Sequence, residues 1–115
     1  MARADVIPGS VWLAELGGGI GREQHGRRPV VVLSSSWHLL AVDHLVMIVP
    51  CTSRDRGWAN HVEITTPPLT TRTFAMTEQL RTISRDRLIR PLAMVDESRM
   101  AEIRRWVNDW IDGQR

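Results

Sequence analysis

The chain has 115 residues, of which 43% are hydrophobic, and this length allows one domain with a modest core. It contains no apolar run of the ~18 residues that a membrane-spanning helix needs, and its start lacks the apolar segment of a signal peptide. A single cysteine, Cys51, excludes an internal disulfide and a cysteine-cluster metal site. We therefore expect residues 1–115 to form one cytoplasmic domain with no membrane partner.

Charge is distributed unevenly along the chain. All fifteen basic side chains are arginines, and the net charge of +2 is too small to indicate a nucleic-acid partner by itself. Residues 22–28 carry three Arg against one Glu, and residues 72–90 carry five Arg against two acidic residues. Residues 96–112 reverse the balance, with five acidic residues against three Arg. The sequence thus has a basic body, whose planar guanidinium groups suit phosphate, and an acidic tail segment.

Short apolar or alternating segments, separated by turn residues, predict most of the secondary structure as strands. These segments are Ser10–Leu16, Pro29–Leu33, Leu45–Thr52, His61–Thr65, Thr73–Met76, Gln79–Ile83 and Leu88–Leu92. A glycine-rich loop joins the first two, and residues 37–44 fit either a short helical turn or a loop. Pro29 is acceptable only at the first position of its strand, because proline cannot donate to a strand ladder.

The C-terminal segment changes to a helical period. Apolar residues recur at three- and four-residue steps at Met100, Ile103, Val107, Trp110 and Ile111. Asp96 suits the N-cap of this helix and Gly113 its end. Many short strands followed by one closing helix predict an α+β fold, with a small β-barrel or curled sheet capped by the helix.

Three segments carry residues suited to phosphate chemistry. Arg28 leaves its loop in a restricted direction, because the proline after it favours an extended backbone. Thr52 lies where an apolar strand opens into a basic loop that includes Trp58, whose ring suits an unpaired base. Gln79 and Arg81 alternate onto one face of a predicted strand, where they suit base edges and phosphate. On local sequence alone, each segment is more readily interpreted as an ordinary solvated surface.

Other kinds of chemistry have little support in the sequence. The four histidines show no metal-ligand spacing, no carboxylate cluster suits magnesium, and the glycine-rich loop lacks the lysine and hydroxyl of a phosphate-binding P-loop. Cys51 is better explained as a small buried apolar residue than as a nucleophile. The candidate groups are arginine, hydroxyl, carboxylate and imidazole, with no metal and no cofactor. This set suits transesterification of RNA, whose own 2′-hydroxyl supplies the nucleophile.

Taken together and in order, these segments resemble the MazF/PemK toxins of the CcdB/PemK-like superfamily. The segments that carry the resemblance are Gly9–Leu16, Gly21–Ser34, Val49–Thr52, His61–Ile64 and Glu78–Ile83. The resemblance implies an SH3-like β-barrel with a C-terminal helix, formed by one toxin domain over 1–115. It implies a homodimer that cleaves single-stranded RNA in a sequence-specific, metal-independent reaction, leaving a 2′,3′-cyclic phosphate and a 5′-hydroxyl. The implied partner is an antitoxin whose C-terminal segment fills the RNA groove.

The resemblance also assigns roles to residues. Arg28 matches the catalytic arginine of the family, Thr52 its catalytic threonine, and Glu23 an acidic residue that some members need. The residues expected to contact RNA are Arg22, Gln24, His25, Ser53, Arg54, Gln79 and Arg81. Arg22 replaces a serine that is common in the family, in a loop where RNA sequence is read, so the cleavage motif does not carry over.

The proton acceptor stays open between Glu23, His25 and Arg28. Arg28 is expected to stabilise the phosphorane, and Thr52 to hold a non-bridging phosphate oxygen. Two other functions remain as alternatives: a non-catalytic CcdB-like toxin that binds a topoisomerase, and an inactive nucleic-acid-binding barrel. A CcdB-like toxin does not need the pair formed by Arg28 and Thr52.

Overall fold

Strands dominate the fold, and a computed structural model describes it for residues 6–21 and 25–113. In chain order the elements are β1 (Ser10–Glu15), β2 (Arg27–Val32), α1 (Ser36–Ala41), β3 (Leu45–Thr52), β4 (His61–Glu63), β5 (Phe74–Met76), β6 (Arg81–Ser84), β7 (Leu88–Met94) and α2 (Glu97–Asp112). Two short 3-10 helices, Thr77–Gln79 and Arg85–Arg87, precede β6 and β7. No helix within the described ranges is long and apolar enough to cross a membrane.

The seven strands form one antiparallel sheet that branches at β3. Its main path is β4-β5-β3-β2-β1-β7, and β6 pairs with β3 as a branch. β6 pairs with the first half of β3, over Leu45–Ile48, whereas β5 pairs with its last two residues, Cys51 and Thr52. β3 thus carries two partner strands along different parts of its length. Among the described strands, the path ends at β4 and β7, so the barrel-like sheet does not close.

Both faces of the sheet carry a hydrophobic cluster, and this explains the near-continuous apolar runs in β2 and β3. One cluster holds Val31, Val49 and Cys51 together with the buried face of α2. The other lies on the opposite face of the same strands and includes Val30, Val32 and Ile48. Since side chains alternate along a strand, neighbouring residues of β3 belong to different clusters. The α+β prediction, with a curled sheet and one closing helix, is confirmed.

The α2 helix begins where its cap residue predicts. The Asp96 carboxylate accepts a hydrogen bond from the Arg99 backbone N–H at 2.9 Å, and this bond lowers the pKa of Asp96. Met100, Ile103 and Val107 are buried as the apolar period predicts. The expected stripe is wrong at its end, because Trp110 and Ile111 are 51% and 69% exposed. The apolar stripe is therefore buried only as far as Val107.

The structure decides one open prediction and corrects one strand boundary. The segment 37–44, which fitted a helical turn or a loop, overlaps the helix α1, which Ser35 caps by accepting the His38 backbone N–H at 3.1 Å. β2 begins at Arg27, so Pro29 is its third residue rather than its first. Pro29 is tolerated there because the pairing of β2 with β3 starts only at Val30. Arg28 therefore belongs to a strand rather than to the preceding loop.

Candidate active site

The pairing of β2 with β3 brings Arg28 and Thr52 to the same end of the sheet. Val30 and Pro50 form the last pair of this antiparallel ladder, and Arg28 and Thr52 lie two positions beyond that pair on their own strands. The pairing of the two strands thus brings two residues that are distant in sequence to the same end of the sheet.

Arg28 and Thr52 lie in one cleft of about 340 Å³. Its lining residues come from β2, from the end of β3 and from the segment between β4 and β5: Arg27, Arg28, Pro29, Cys51, Thr52, Ser53, Pro68, Leu69, Thr70, Thr71 and Thr73. The polar part of this surface consists of guanidinium and hydroxyl groups, with no carboxylate among the lining side chains. Such a surface suits an anion with several oxygen acceptors.

Arg28 keeps most of its donors for a ligand. Its Nε donates to the backbone carbonyl of His25 at 3.1 Å, and this is its one hydrogen bond to the described residues. The side chain is half-buried, so the guanidinium is partly shielded from water while its terminal nitrogens stay available. The bond through Nε orients the planar group, and the terminal nitrogens can form the two-pronged contact that arginine makes with phosphate.

The Thr52 hydroxyl accepts a hydrogen bond within the turn that follows it and still has a proton to donate. Its Oγ1 accepts the backbone N–H of Arg54 at 3.1 Å, as threonine often does at the start of a loop. A hydroxyl has one donor and two acceptor positions, so this bond leaves the O–H free to donate to a phosphate oxygen. The turn also fixes where the oxygen lies in the cleft.

Cys51 is adjacent in sequence but differs chemically. Its side chain is fully buried, and this burial raises the pKa of the thiol to about 12. The thiol is therefore protonated at neutral pH and does not act as a nucleophile. The expectation that Cys51 packs as a small apolar residue is confirmed.

The other predicted residues are distributed around this site rather than all within it. Ser53 lines the cleft, while His25 and Arg54 are exposed nearby in sequence. Gln79 and Arg81 are half-buried and do not line the cleft. Arg22, Glu23 and Gln24, for which RNA-binding and catalytic roles are expected, lie outside the described residues.

The predicted strand Gln79–Ile83 is wrong at its start. Gln79 ends a 3-10 helix, and β6 begins at Arg81, so the alternation that placed both side chains on one strand face does not apply. The preceding Thr77 causes this turn through contacts distant in sequence. Its hydroxyl donates to the Asn60 carbonyl at 2.7 Å and accepts the indole N–H of Trp110 at 3.1 Å.

The match to a family model decides the relationship of this chain to known proteins. Residues 7–111 match the model described as "PemK-like, MazF-like toxin of type II toxin-antitoxin system". The chain belongs to this toxin family. The recognition made from the sequence segments is therefore confirmed, and it covers both strands that carry Arg28 and Thr52. A search of curated protein sequences gives no match.

Solved structures agree with this assignment. MazF from Deinococcus radiodurans is 27% identical with a TM-score of 0.77, and the match covers 91% of this chain and 94% of that one. The MazE–MazF complex from the same organism matches at 25% identity and a TM-score of 0.75, covering 94% of this chain and 96% of the other. A mycobacterial endoribonuclease in complex with its cognate antitoxin is 17% identical with a TM-score of 0.70, covers 95% of both chains, and supports the fold alone.

The wall of the cleft that faces β2 and β3 was not predicted from the sequence. Residues 68–73 supply hydroxyl groups to the lining, although they have no apolar period. The run Thr70-Thr71-Arg72-Thr73 after Pro67-Pro68 was the available signal, because it places several hydroxyl groups in a short turn-rich segment.

An ion-pair network holds this wall in place. Arg72 donates to both carboxylate oxygens of Glu63, at 3.1 and 3.0 Å, and lies 3.5 Å from the Asp55 carboxylate. The hydrogen bond from Arg72, assisted by one from Thr65, lowers the pKa of Glu63 to about 2. Arg72 thereby connects the segment after β4 with the loop after β3. In the described ranges, no three His, Cys, Asp or Glu side chains are grouped as a metal site requires.

Proposed function

We propose that this chain is a sequence-specific endoribonuclease that cleaves single-stranded RNA without a metal ion. The carrying observation is the cleft in which Arg28 keeps its terminal donors beside the Thr52 hydroxyl. Membership of the MazF-like toxin family, shown by the match over residues 7–111, supports the same conclusion. In this proposal the chain is the toxin of a toxin–antitoxin pair and acts through RNA cleavage.

The proposed reaction is a transesterification within the RNA. The 2′-hydroxyl oxygen attacks the adjacent phosphorus, its proton passes to a base, and the P–O5′ bond breaks. The products are a 2′,3′-cyclic phosphate and a 5′-hydroxyl, which gains a proton as it leaves. The negative charge that develops on the phosphorane is stabilised by Arg28, while Thr52 donates to a non-bridging oxygen. Both contacts strengthen as charge builds up, which is the requirement for catalysis.

The base stays open between Glu23, His25 and Arg28, and Glu23 is the candidate to test first. A carboxylate or an imidazole accepts a proton far more readily than a guanidinium, whose reference pKa is above about 12. We expect Glu23→Gln to lower the cleavage rate and to abolish its rise with pH on the acid side. The pH profile of single-turnover cleavage measures this. A slower variant with an unchanged profile would assign the base to His25 or Arg28 instead.

The proposal includes two protein partners. The first is an antitoxin whose acidic C-terminal segment occupies the same cleft, where Arg27 and Arg28 provide positive charge. The second is another copy of this chain. β7 is an edge strand of the sheet, and Ile89 and Met94 on it are 42% and 48% exposed. Since Pro68 lines both the cleft and the adjacent apolar groove beside Met94, a dimer built on this edge adjoins the cleft.

One experiment separates the proposed function from its alternatives. The purified protein is incubated with a long single-stranded RNA in EDTA, and the cut ends are mapped and tested for a 2′,3′-cyclic phosphate. Defined cuts with these ends support the endoribonuclease. RNA that is bound but intact indicates a nucleic-acid-binding barrel, and RNA that is neither bound nor cut favours a topoisomerase-binding toxin. Either of the last two results overturns the proposal.

A further inference from the structure

Trp58 is an exposed tryptophan in the loop that begins at the cleft. Its side chain is 48% exposed, although tryptophan has a large apolar surface to bury. Two other tryptophans are similarly exposed, but their settings differ. Trp110 stacks on Trp106 and donates its indole N–H to Thr77, while Trp37 is on α1, near the opposite end of β3. Only the Trp58 loop continues directly from Thr52 and Ser53.

The indole of Trp58 packs against a buried histidine. Its ring contacts the imidazole of His61, with ring centroids 4.9 Å apart, and its backbone carbonyl accepts the His61 N–H at 3.1 Å. The His61 side chain is 2% exposed, and its Nε2 lies 2.9 Å from the Glu78 carboxylate. The second oxygen of Glu78 accepts from Asn60 at 2.8 Å. Since both oxygens are used, the His61 ring is a fixed support for Trp58.

The Trp58 ring also has a cationic neighbour. The Arg56 guanidinium lies over the indole at 5.4 Å from its centroid. An aromatic ring beside a guanidinium is the combination that single-stranded nucleic acid uses, because the base stacks on the ring and the neighbouring phosphate pairs with the cation. Trp58 is six positions after Thr52 in the sequence, so their Cα atoms are at most about 20 Å apart. This distance corresponds to a few nucleotides.

We propose that Trp58 is a stacking subsite for one unpaired base of the RNA, a few nucleotides from the bond that is cleaved, with Arg56 contacting the adjacent phosphate. This inference rests on the proposed function and adds to it a position where the strand is held outside the cleft. Glu78 and Asn60 act as positioning residues, because they fix the His61 ring that supports the indole.

The test measures binding of an RNA that cannot be cut. The probe is a single-stranded oligonucleotide spanning a mapped cut site, with a 2′-deoxy sugar at the scissile position so that the nucleophile is absent. We expect Trp58→Ala to weaken its binding roughly five- to hundredfold, and Trp58→Phe to weaken it less. Trp37→Ala, the matched exposed tryptophan, leaves binding unchanged. Thermal unfolding of each variant confirms that it is folded.

A scan with abasic nucleotides then locates the stacked base. In the unmodified protein, one abasic position weakens binding about as much as Trp58→Ala does, and combining the two changes causes little further loss. If Trp58→Ala binds like Trp37→Ala while the unmodified protein still cuts RNA, the subsite is wrong and the proposed function stands. Loss of antitoxin binding alone would make Trp58 a protein contact and overturn the subsite. A protein that neither cuts nor binds RNA overturns both proposals.

Discussion

Two arginines mark the two ends of β3, and their surroundings are opposite. Near Leu45, the Arg85 guanidinium donates to the backbone carbonyls of Leu39, Val42 and Leu45, which ties α1 and its following turn to the sheet. Near the other end, Arg28 makes one hydrogen bond, through Nε, to the described residues. Arg85 uses its donors on the fold, whereas Arg28 holds its terminal donors toward a cleft.

From this difference, rather than from charge, we predict a structural role for Arg85 and a functional role for Arg28. Both side chains are half-buried, and both carry the same permanent charge. What distinguishes them is how many donors the protein itself satisfies, because donors already bonded to carbonyls are not available to a ligand. The comparison predicts which variants lose activity and which lose stability.

Replacing Arg28 should have the largest effect. We expect Arg28→Ala to lower the cleavage rate by about 10²–10³-fold, because it removes the main stabilisation of the developing negative charge. Its thermal unfolding should change little, since only one hydrogen bond is lost. Single-turnover cleavage of a mapped RNA substrate measures the rate. Full activity in this variant would remove Arg28 from the catalytic assignment.

Replacing Arg85 should reverse this pattern. Arg85→Ala leaves three backbone carbonyls without their charged donor, and we expect the free energy of unfolding to fall by roughly 2–4 kcal/mol. The cleavage rate per folded molecule should stay the same. Urea unfolding measures the loss, and Arg90→Ala, an exposed arginine on β7, is the matched control. Equal stability of the two variants would contradict the structural role.

Thr52 allows a finer test of the functional end. Thr52→Val keeps the shape of the side chain but removes the hydroxyl, and we expect the cleavage rate to fall roughly ten- to hundredfold. Thr52→Ser restores a hydroxyl at this position and should recover most of the rate. If valine and serine variants are equally active, the hydroxyl serves only its own turn with Arg54.

The ion pair between Arg72 and Glu63 should have the smallest effect on stability of the interactions tested. Its carboxylate partner Glu63 has a pKa of about 2 in the folded protein against an ordinary value of 4.5. Because folding lowers this pKa, the pair stabilises the protein above pH 4.5, and that contribution is lost as the pH falls toward 2. As the pH is lowered from 4.5 toward 2, the unfolding temperature should fall more steeply for the unmodified protein than for Glu63→Gln. Parallel curves would show that the exposed pair contributes nothing measurable.

Local patterns predicted the elements that depend on local forces. The bounds of β3 follow from its apolar run, and the start of α2 follows from the Asp96 cap. The predictions failed where distant contacts decide the structure. Gln79 lies in a 3-10 helix because Thr77 bonds to Asn60 and Trp110, which are 17 and 33 residues away along the chain.

The candidate site follows the same rule. Nothing in the local sequence places Arg28 in the same cleft as Thr52, because the two residues are 24 positions apart and come together through the pairing of β2 with β3. The two residues were predicted to act together only because both match catalytic positions of the family that the sequence resembles. The cleft wall at residues 68–73 was missed, since it has no periodic pattern and its position depends on the ion pairs of Arg72. The roles of Arg28 and Thr52 stay predictions until the variants are measured.

The register between β2 and β3 has a consequence for how such proteins diversify. The ladder from Val30 to Val32 brings the strand ends that carry Arg28 and Thr52 to one end of the sheet, whereas the loops after β1 and β3 supply the backbone groups that orient the two side chains. In the proposed endoribonuclease, changes in these loops can alter RNA recognition and keep the proposed cleaving pair in place only if the His25 carbonyl and the Arg54 N–H keep their positions. For protein engineering, we expect an exchange of the loop after β3 to preserve the proposed chemistry only when it retains the turn that Thr52 forms with Arg54.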